Sequence, residues 1–165
     1  MRLYVLSVLV DNIPGVLTRV CGLFNRRGYN LESVTAGVTE NDKISRLTLI
    51  ASVKDENEID QIVKQIKKIE VVHKVVLLNR ENSVCREIML IKVNAEGVQR
   101  QEILNTVSIF RASVVDVTTK TFTIEITGNS SKIEAFQKML EPYGIIEVVS
   151  SGSIAIERGQ NSILN

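Results

Sequence analysis

The residues of this chain whose types and spacing could bind a ligand lie in one turn near its N-terminus. An apolar run ends in Asp-Asn-Ile-Pro-Gly-Val at positions 11–16, where Gly15 opens a predicted helix. The first amides of a helix lack intrahelical partners and lie at the positive end of its dipole, so such a turn can bind a carboxylate. Asn12 and Asn30, at the start and end of this unit, each offer a side-chain amide that donates and accepts. The pattern predicts a receptor for a small zwitterion.

Aliphatic residues surround this polar turn in the sequence. They would give a branched apolar side chain a matching surface, and Gly15 leaves room for a ligand to approach the backbone closely. The predicted effector site consists of Asn12, Ile13, Pro14, Gly15, Val16, Leu17, Asn30 and Leu31.

A structural role for the turn is the alternative. Pro14 and Gly15 are ordinary residues at a helix start, and Asn12 could simply cap the helix. We expect Asn12, Gly15 and Asn30 to lie near one end of the same sheet, and this grouping favours binding. The amides of Gly15 and Val16 would then bind a carboxylate, and the two asparagines would hold an amino group.

Groups that could perform catalysis are almost absent. His73 is the single histidine, and it lies at a predicted helix–strand junction where exposure is its ordinary state. The sequence has no cluster of His, Cys and Asp with metal-ligand spacing, and no glycine-rich phosphate loop. We therefore predict no catalytic residues, no metal site and no cofactor on this chain.

Composition limits the remaining function classes. The chain has 165 residues, enough for two small domains, and its net charge of +1 provides no field to attract nucleic acid or anionic lipid. No apolar run is long enough to cross a membrane. Cys21 and Cys85 follow no pairing or metal pattern, which indicates reduced thiols and a cytoplasmic protein.

The hydrophobic pattern describes one topology twice. In the first half, strands and helices alternate as β-α-β-β-α-β, with a helix that begins after Asp55. A polar patch at 79–83 is the predicted linker, after which the order repeats. The sequence thus predicts an α+β chain of two tandem ferredoxin-like βαββαβ domains, with antiparallel sheets and helices on one face. The domains are residues 1–79 and 84–165, and the tail at 158–165 is expected to fray.

The first strand, residues 3–10, is apolar on both faces. Helices can cover only one of these faces, so we expect another subunit or the second domain to cover the other. This reasoning predicts a homodimer.

An RNA-binding protein of the same topology is one alternative. Such domains stack bases on aromatic residues of their central strands, yet the strand at 44–50 has none. Arg26-Arg27 and Lys67-Lys68 are short basic pairs typical of solvated helix ends. We therefore expect no nucleic-acid binding.

A family resemblance is carried by specific stretches of the sequence. The segment 11–35 closely resembles the opening of the small, regulatory subunit of acetolactate synthase (acetohydroxyacid synthase), whose N-terminal half is an amino-acid-binding ACT domain. Leu31, where the family often has isoleucine, and Ala36-Gly37 are mild departures. The resemblance continues through residues 45–48, 84–92, 109–112, 115–118, 132–136 and 151–152.

The resemblance implies a non-catalytic subunit that activates a separate catalytic (large) subunit and makes it sensitive to valine or another branched-chain amino acid. In the family the effector lies between the ACT domains of two subunits. Carried over, Asn12, Gly15 and Asn30 would hold the amino-acid backbone beside Ile13, Val16 and Leu31. Thiamine diphosphate, Mg2+ and FAD would belong to the catalytic partner. A stand-alone ACT-domain sensor acting on a transcriptional or other regulatory circuit is the alternative function.

Overall fold

The structure is a computed structural model that describes residues 1–79 and 81–164. Arg80, in the predicted linker, and Asn165, at the end of the predicted second domain, lie outside these ranges. The chain divides into two compact units. Unit 1 comprises Met1–Cys85 together with Ser153–Asn165, and unit 2 comprises Arg86–Gly152.

Unit 1 has the predicted β-α-β-β-α-β order. Its four strands form one antiparallel sheet in the order β2-β3-β1-β4. In this order β2 and β4 occupy the two edges of the sheet. The elements are β1 (Arg2–Asp11), α1 (Val16–Arg26), β2 (Asn30–Val38), β3 (Ile44–Val53), α2 (Glu56–Ile66) and β4 (Val72–Leu78).

The core of unit 1 lies between the sheet and its two helices. Leu6, Val8 and Val10 of β1 pack with Phe24 of α1 and Ile62 of α2 in one buried cluster. Side chains alternate along a strand, so the intervening residues of β1 face the other side of the sheet. Val5 and Leu9 on that outer side are also buried, which confirms the doubly apolar first strand.

The outer side of β1 is covered by the chain's own C-terminal segment, residues 153–164. Within it, β9 (Ile154–Glu157) places Ala155 against Val5 and Leu78 in a small buried cluster. Ala155 lies in the predicted second domain, 84–165, so the expectation that another subunit or the second domain covers this face is confirmed for Val5, although the covering segment groups with unit 1. The tail does not simply fray, because Ile163 is only 4% exposed.

Unit 2 repeats the topology around its own core. Its elements are β5 (Ser83–Asn94, whose first three residues belong to unit 1), α3 (Gln99–Ile109), β6 (Ser113–Val117), β7 (Thr121–Gly128), α4 (Ser130–Leu140) and β8 (Ile145–Ser150), with a short 3-10 turn at Glu141–Tyr143. The strand order is β6-β7-β5-β8, and β9 also pairs with β5. Phe110 and Phe136 of its two helices pack at 5.2 Å between ring centroids.

The predicted fold class, two tandem ferredoxin-like units, is confirmed. The domain division differs from the predicted 1–79 and 84–165, because residues after 152 group with unit 1. The physical reason is that Ala155 and Ile163 are buried. Ala155 is small and Ile163 is a single buried position, so the hydrophobic pattern of the sequence gives little indication of their burial. None of the helices within 1–79 and 81–164 is long and apolar enough to span a membrane.

Candidate ligand-binding site

The turn between β1 and α1 is held by the side chain of Asn12. Its Nδ2 donates to the Asp42 carbonyl at 2.8 Å, and its Oδ1 accepts from Ser45 Oγ at 3.0 Å. The Asn12 backbone N–H also donates to the Lys43 carbonyl at 2.7 Å. Asn12 therefore ties the turn to the β2–β3 hairpin and does not cap α1. An amide has two donors and two acceptor lone pairs, so one of each remains for a ligand.

The N-terminus of α1 is open to an anion. Gly15 precedes the helix with a left-handed φ of 84°, no side chain caps the helix, and its first turn has no acidic residue. The left-handed backbone favours glycine, and a Cβ built at Gly15 would meet no atom within 4 Å. Free amides and the helix dipole thus point into accessible space.

The equivalent position at the start of α2 is already occupied by carboxylates. Asp55 accepts a hydrogen bond from the Glu58 amide at 3.0 Å, and Glu58 accepts one from the Lys54 amide at 2.8 Å. Glu56 adds a further negative charge in the first turn. The two helices of unit 1 therefore differ in a specific way, because α2 has acidic residues at its N-terminus and α1 has none.

A concave site of about 510 Å3 lies in front of α1, within the ordinary range for small-ligand pockets. All six predicted residues from Asn12 to Leu17 line it. Leu17 and Ile13 are 44% and 50% exposed, so α1 buries Val16 and Val20 and presents Leu17 at the site. Sequence reasoning missed the other lining residues, which are Val10, Asp11, Thr18, Ala36, Gly37, Val38, Ser45 and Leu47.

Asn30 and Leu31 lie at the other end of the sheet, so the expected grouping with Asn12 and Gly15 is wrong within one chain. Asn30 pairs in register with Ser52, whereas Val38 pairs with Ser45 beside the site. Eight residues of strand separate Asn30 from Val38, or about 26 Å. The cause is topological: α1 starts where β1 ends and runs back along it, so β2 begins near the first residues of β1.

The rim of the site carries a short polar contact between two side chains. His73 Nε2 lies 2.6 Å from Asp11 Oδ1, with both side chains partly exposed. No group of three or more metal-ligating side chains occurs in the described part of the chain. Burial raises the pKa of the Cys21 thiol in α1, which opposes thiolate formation. These groups shape a binding site and offer no arrangement for nucleophilic attack.

Comparison with known proteins identifies the family. A family model for the AHAS small subunit-like ACT domain matches residues 6–74, and a model for the small subunit of acetolactate synthase matches residues 86–159. The chain belongs to the acetolactate synthase small-subunit family. It is 48% identical over 160 residues to the small subunit of Mycolicibacterium smegmatis, covering 97% of this chain and 94% of that one. It is 44% identical over 161 residues to the Haemophilus influenzae small subunit, covering 97% and 98%.

A solved structure supports the same assignment. The crystal structure of the Thermotoga maritima acetolactate synthase small subunit is similar with a TM-score of 0.90 and 40% identity, covering 98% of this chain and 100% of that chain. Members of this family are small, regulatory subunits. The chain is therefore not itself the catalytic subunit, as its lack of convergent catalytic side chains predicts.

Proposed function

We propose that this chain regulates the catalytic large subunit of acetolactate synthase in response to an aliphatic amino acid. It raises the activity of that subunit, and binding of valine or another branched-chain amino acid at the α1 site imposes feedback inhibition. The catalytic partner holds thiamine diphosphate, Mg2+ and FAD, and this chain holds none of them. Both proteins work in the cytoplasm.

The observation that carries this proposal is the open N-terminus of α1 beside an aliphatic surface. The amides of Gly15 and Val16 bind the ligand carboxylate, where no side chain of the chain competes. Leu17 and Ile13, both half-exposed, contact the aliphatic side chain. The carboxylate-filled start of α2 explains why the ligand selects α1 from the two equivalent positions.

The edge strand β2 supports a homodimer that completes the site. β2 is an edge strand of the sheet of unit 1, and its exposed Val34 and Val38 add apolar surface. Antiparallel pairing of two β2 strands about Val34 would place Asn30 of the partner subunit opposite Val38, since both are four residues from the centre. Leu31 of the partner subunit would then lie opposite Gly37, beside the site.

In this dimer Asn30 can contact the ligand, whereas within a single chain it lies at the other end of the sheet. Asn12 fixes the turn through the hairpin and offers its remaining lone pair, and Asn30 of the partner subunit meets the ligand ammonium. A ligand that bridges two chains favours one dimer arrangement over others. Its differential affinity is then what shifts the catalytic subunit toward its inhibited form.

Reconstitution tests the function. We expect this chain to stimulate acetolactate formation by the purified catalytic subunit, and valine to suppress the stimulated rate. Gly15→Asp places a carboxylate where the ligand carboxylate binds, so calorimetry should show valine binding about 10- to 100-fold weaker while stimulation persists. Gly97→Asp is the matched control, because Gly97 also has a left-handed φ and open space at its Cβ position but lies in unit 2.

Two results would contradict the proposal. Absence of stimulation would exclude the regulatory role, and valine binding without stimulation would instead indicate a stand-alone amino-acid sensor. Equal loss of binding in Gly15→Asp and Gly97→Asp would show that the effect comes from backbone strain and not from the site.

A further inference from the structure

Arg46 connects the sheet of unit 1 to the C-terminal segment. Its Nε donates to Ser7 Oγ on β1 at 2.8 Å, and its Nη2 donates to the Ala155 carbonyl on β9 at 2.8 Å. Ser7 is fully buried, and Arg46 itself is partly buried. Burial lowers the pKa of the guanidinium, and the negative charge of Glu157 on the same segment offsets part of that effect. A charged donor in this setting makes strong hydrogen bonds.

The rest of the segment is attached at a few points. The Ser153 amide donates to Ser33 Oγ at 3.3 Å, and the Arg158 amide donates to the Asn82 carbonyl at 2.8 Å. Packing beneath it is incomplete, because a cavity of about 180 Å3 remains between Arg46, Leu78 and residues 156–163. These contacts add to the pairing of β9 with β5 and to the burial of Ala155 and Ile163.

Arg46 also lies next to the ligand site along the chain. Ser45 and Leu47, its two neighbours on β3, both line that site. Side chains alternate along a strand, so Leu47 packs in the main core while Arg46 reaches the outer side of the sheet. Ser45 further bonds Asn12 in the ligand-binding turn. β3 therefore carries both a residue bonded to the β1–α1 turn and the residue that holds the C-terminal segment.

We propose that Arg46 is a positioning residue that docks the C-terminal segment on the outer face of unit 1 and makes its docking depend on the ligand site. Amino-acid binding at the α1 turn changes how firmly residues 153–164 are held. The segment follows directly after Gly152, the last residue of unit 2, so a change in its docking is passed along the chain to that unit. The identity of the ligand rests on the function proposed above.

Hydrogen exchange measured by mass spectrometry on the full-length protein tests both parts. Without ligand, Arg46→Met should raise amide exchange in residues 153–164 by about 10- to 100-fold, the effect of losing a hydrogen bond from a charged group. Exchange in β1 and β3 should change little. Arg46→Lys keeps the positive charge and the aliphatic part of the side chain. It replaces Arg46→Met in this experiment if the methionine variant fails to fold. Arg27→Met, at an exposed arginine of the same unit, is the matched control and should behave as the wild type.

Valine then tests the coupling. Wild-type exchange in 153–164 should change on valine addition, whereas Arg46→Met should bind valine within about threefold of wild type and show no change there. Unaltered exchange in Arg46→Met without ligand would overturn the docking role. Valine binding to the wild type with no response in 153–164 would overturn the coupling alone. Failure of the wild type to bind valine would overturn the proposed function. This outcome can be told apart from a failure of the docking role, because docking is measured without ligand.

Discussion

The Oδ1 atom of Asn12 accepts a 3.0 Å hydrogen bond from Ser45 Oγ, which joins the β1–α1 turn to the first residues of β3. Asn12 is thus both a candidate ligand contact and the residue that fixes the position of the α1 N-terminus. Half of the hydrogen-bonding capacity of the Asn12 side chain is already used by contacts within the fold. The candidate site therefore depends on the β2–β3 hairpin to which Asn12 is bonded.

Ser45→Ala tests this dependence. The change leaves the Asn12 side chain with one of its two hairpin bonds, and we expect valine affinity in calorimetry to fall about 3- to 10-fold. Ser113→Ala, at an exposed serine of unit 2, is the matched control. Wild-type affinity in Ser45→Ala would show that the hairpin does not position the turn.

Asp55→Ala tests the contrast between the two helix starts. It removes the N-cap hydrogen bond to Glu58, so we expect unit 1 to lose about 1 kcal/mol in the free energy of unfolding, measured by urea titration. Valine affinity should stay unchanged, because the ligand binds α1. A parallel loss of valine binding would contradict the assignment of the ligand to α1.

Val38→Asp tests the β2 edge as the dimer contact. Burying a carboxylate between two apolar edges is costly, so sedimentation should show a shift from dimer to monomer, together with loss of valine binding. Val98→Asp introduces the same charge at a position that is 82% exposed, and should remain dimeric. A dimeric Val38→Asp protein with intact valine binding would place the interface elsewhere.

Cys21 provides a pH-dependent test of packing in α1. Burial raises the pKa of this thiol, so the folded state keeps its proton at pH values where the unfolded chain has begun to lose it. Its contribution to stability is complete below the unfolded pKa and declines as pH rises toward the folded value. Iodoacetamide should therefore modify Cys21 more slowly at pH 8 in the native protein than in urea. Equal rates would show that the thiol is freely accessible in the folded state.

Local patterns were enough to predict the topology and six of the residues that line the candidate site. Alternation of apolar residues identified the strands, and the run from Asn12 to Leu17 could be placed because a turn and a helix start are local in sequence. The double-sided burial of β1 also followed from its residues alone. Each of these inferences required only neighbours along the chain.

Features that depend on distant parts of the chain were not predictable. The position of Asn30 follows from the direction of α1, which sends β2 back to the far end of the sheet. Ala36, Gly37 and Val38 line the site because of the register of the β2–β3 hairpin. No single residue of the sequence indicates that register. Apolarity on the outer face of β1 revealed a need for cover, but could not indicate that Ala155 supplies it.

The central claim is that two chains share each site, and a heterodimer of two defective chains tests it most directly. Gly15→Asp and Asn30→Ala homodimers should each bind valine at least about tenfold more weakly than wild type. Co-expressed with different tags and purified as a heterodimer, they should recover one valine site per dimer, formed by Gly15 of one chain and Asn30 of the other. A heterodimer with no recovered site would contradict the account.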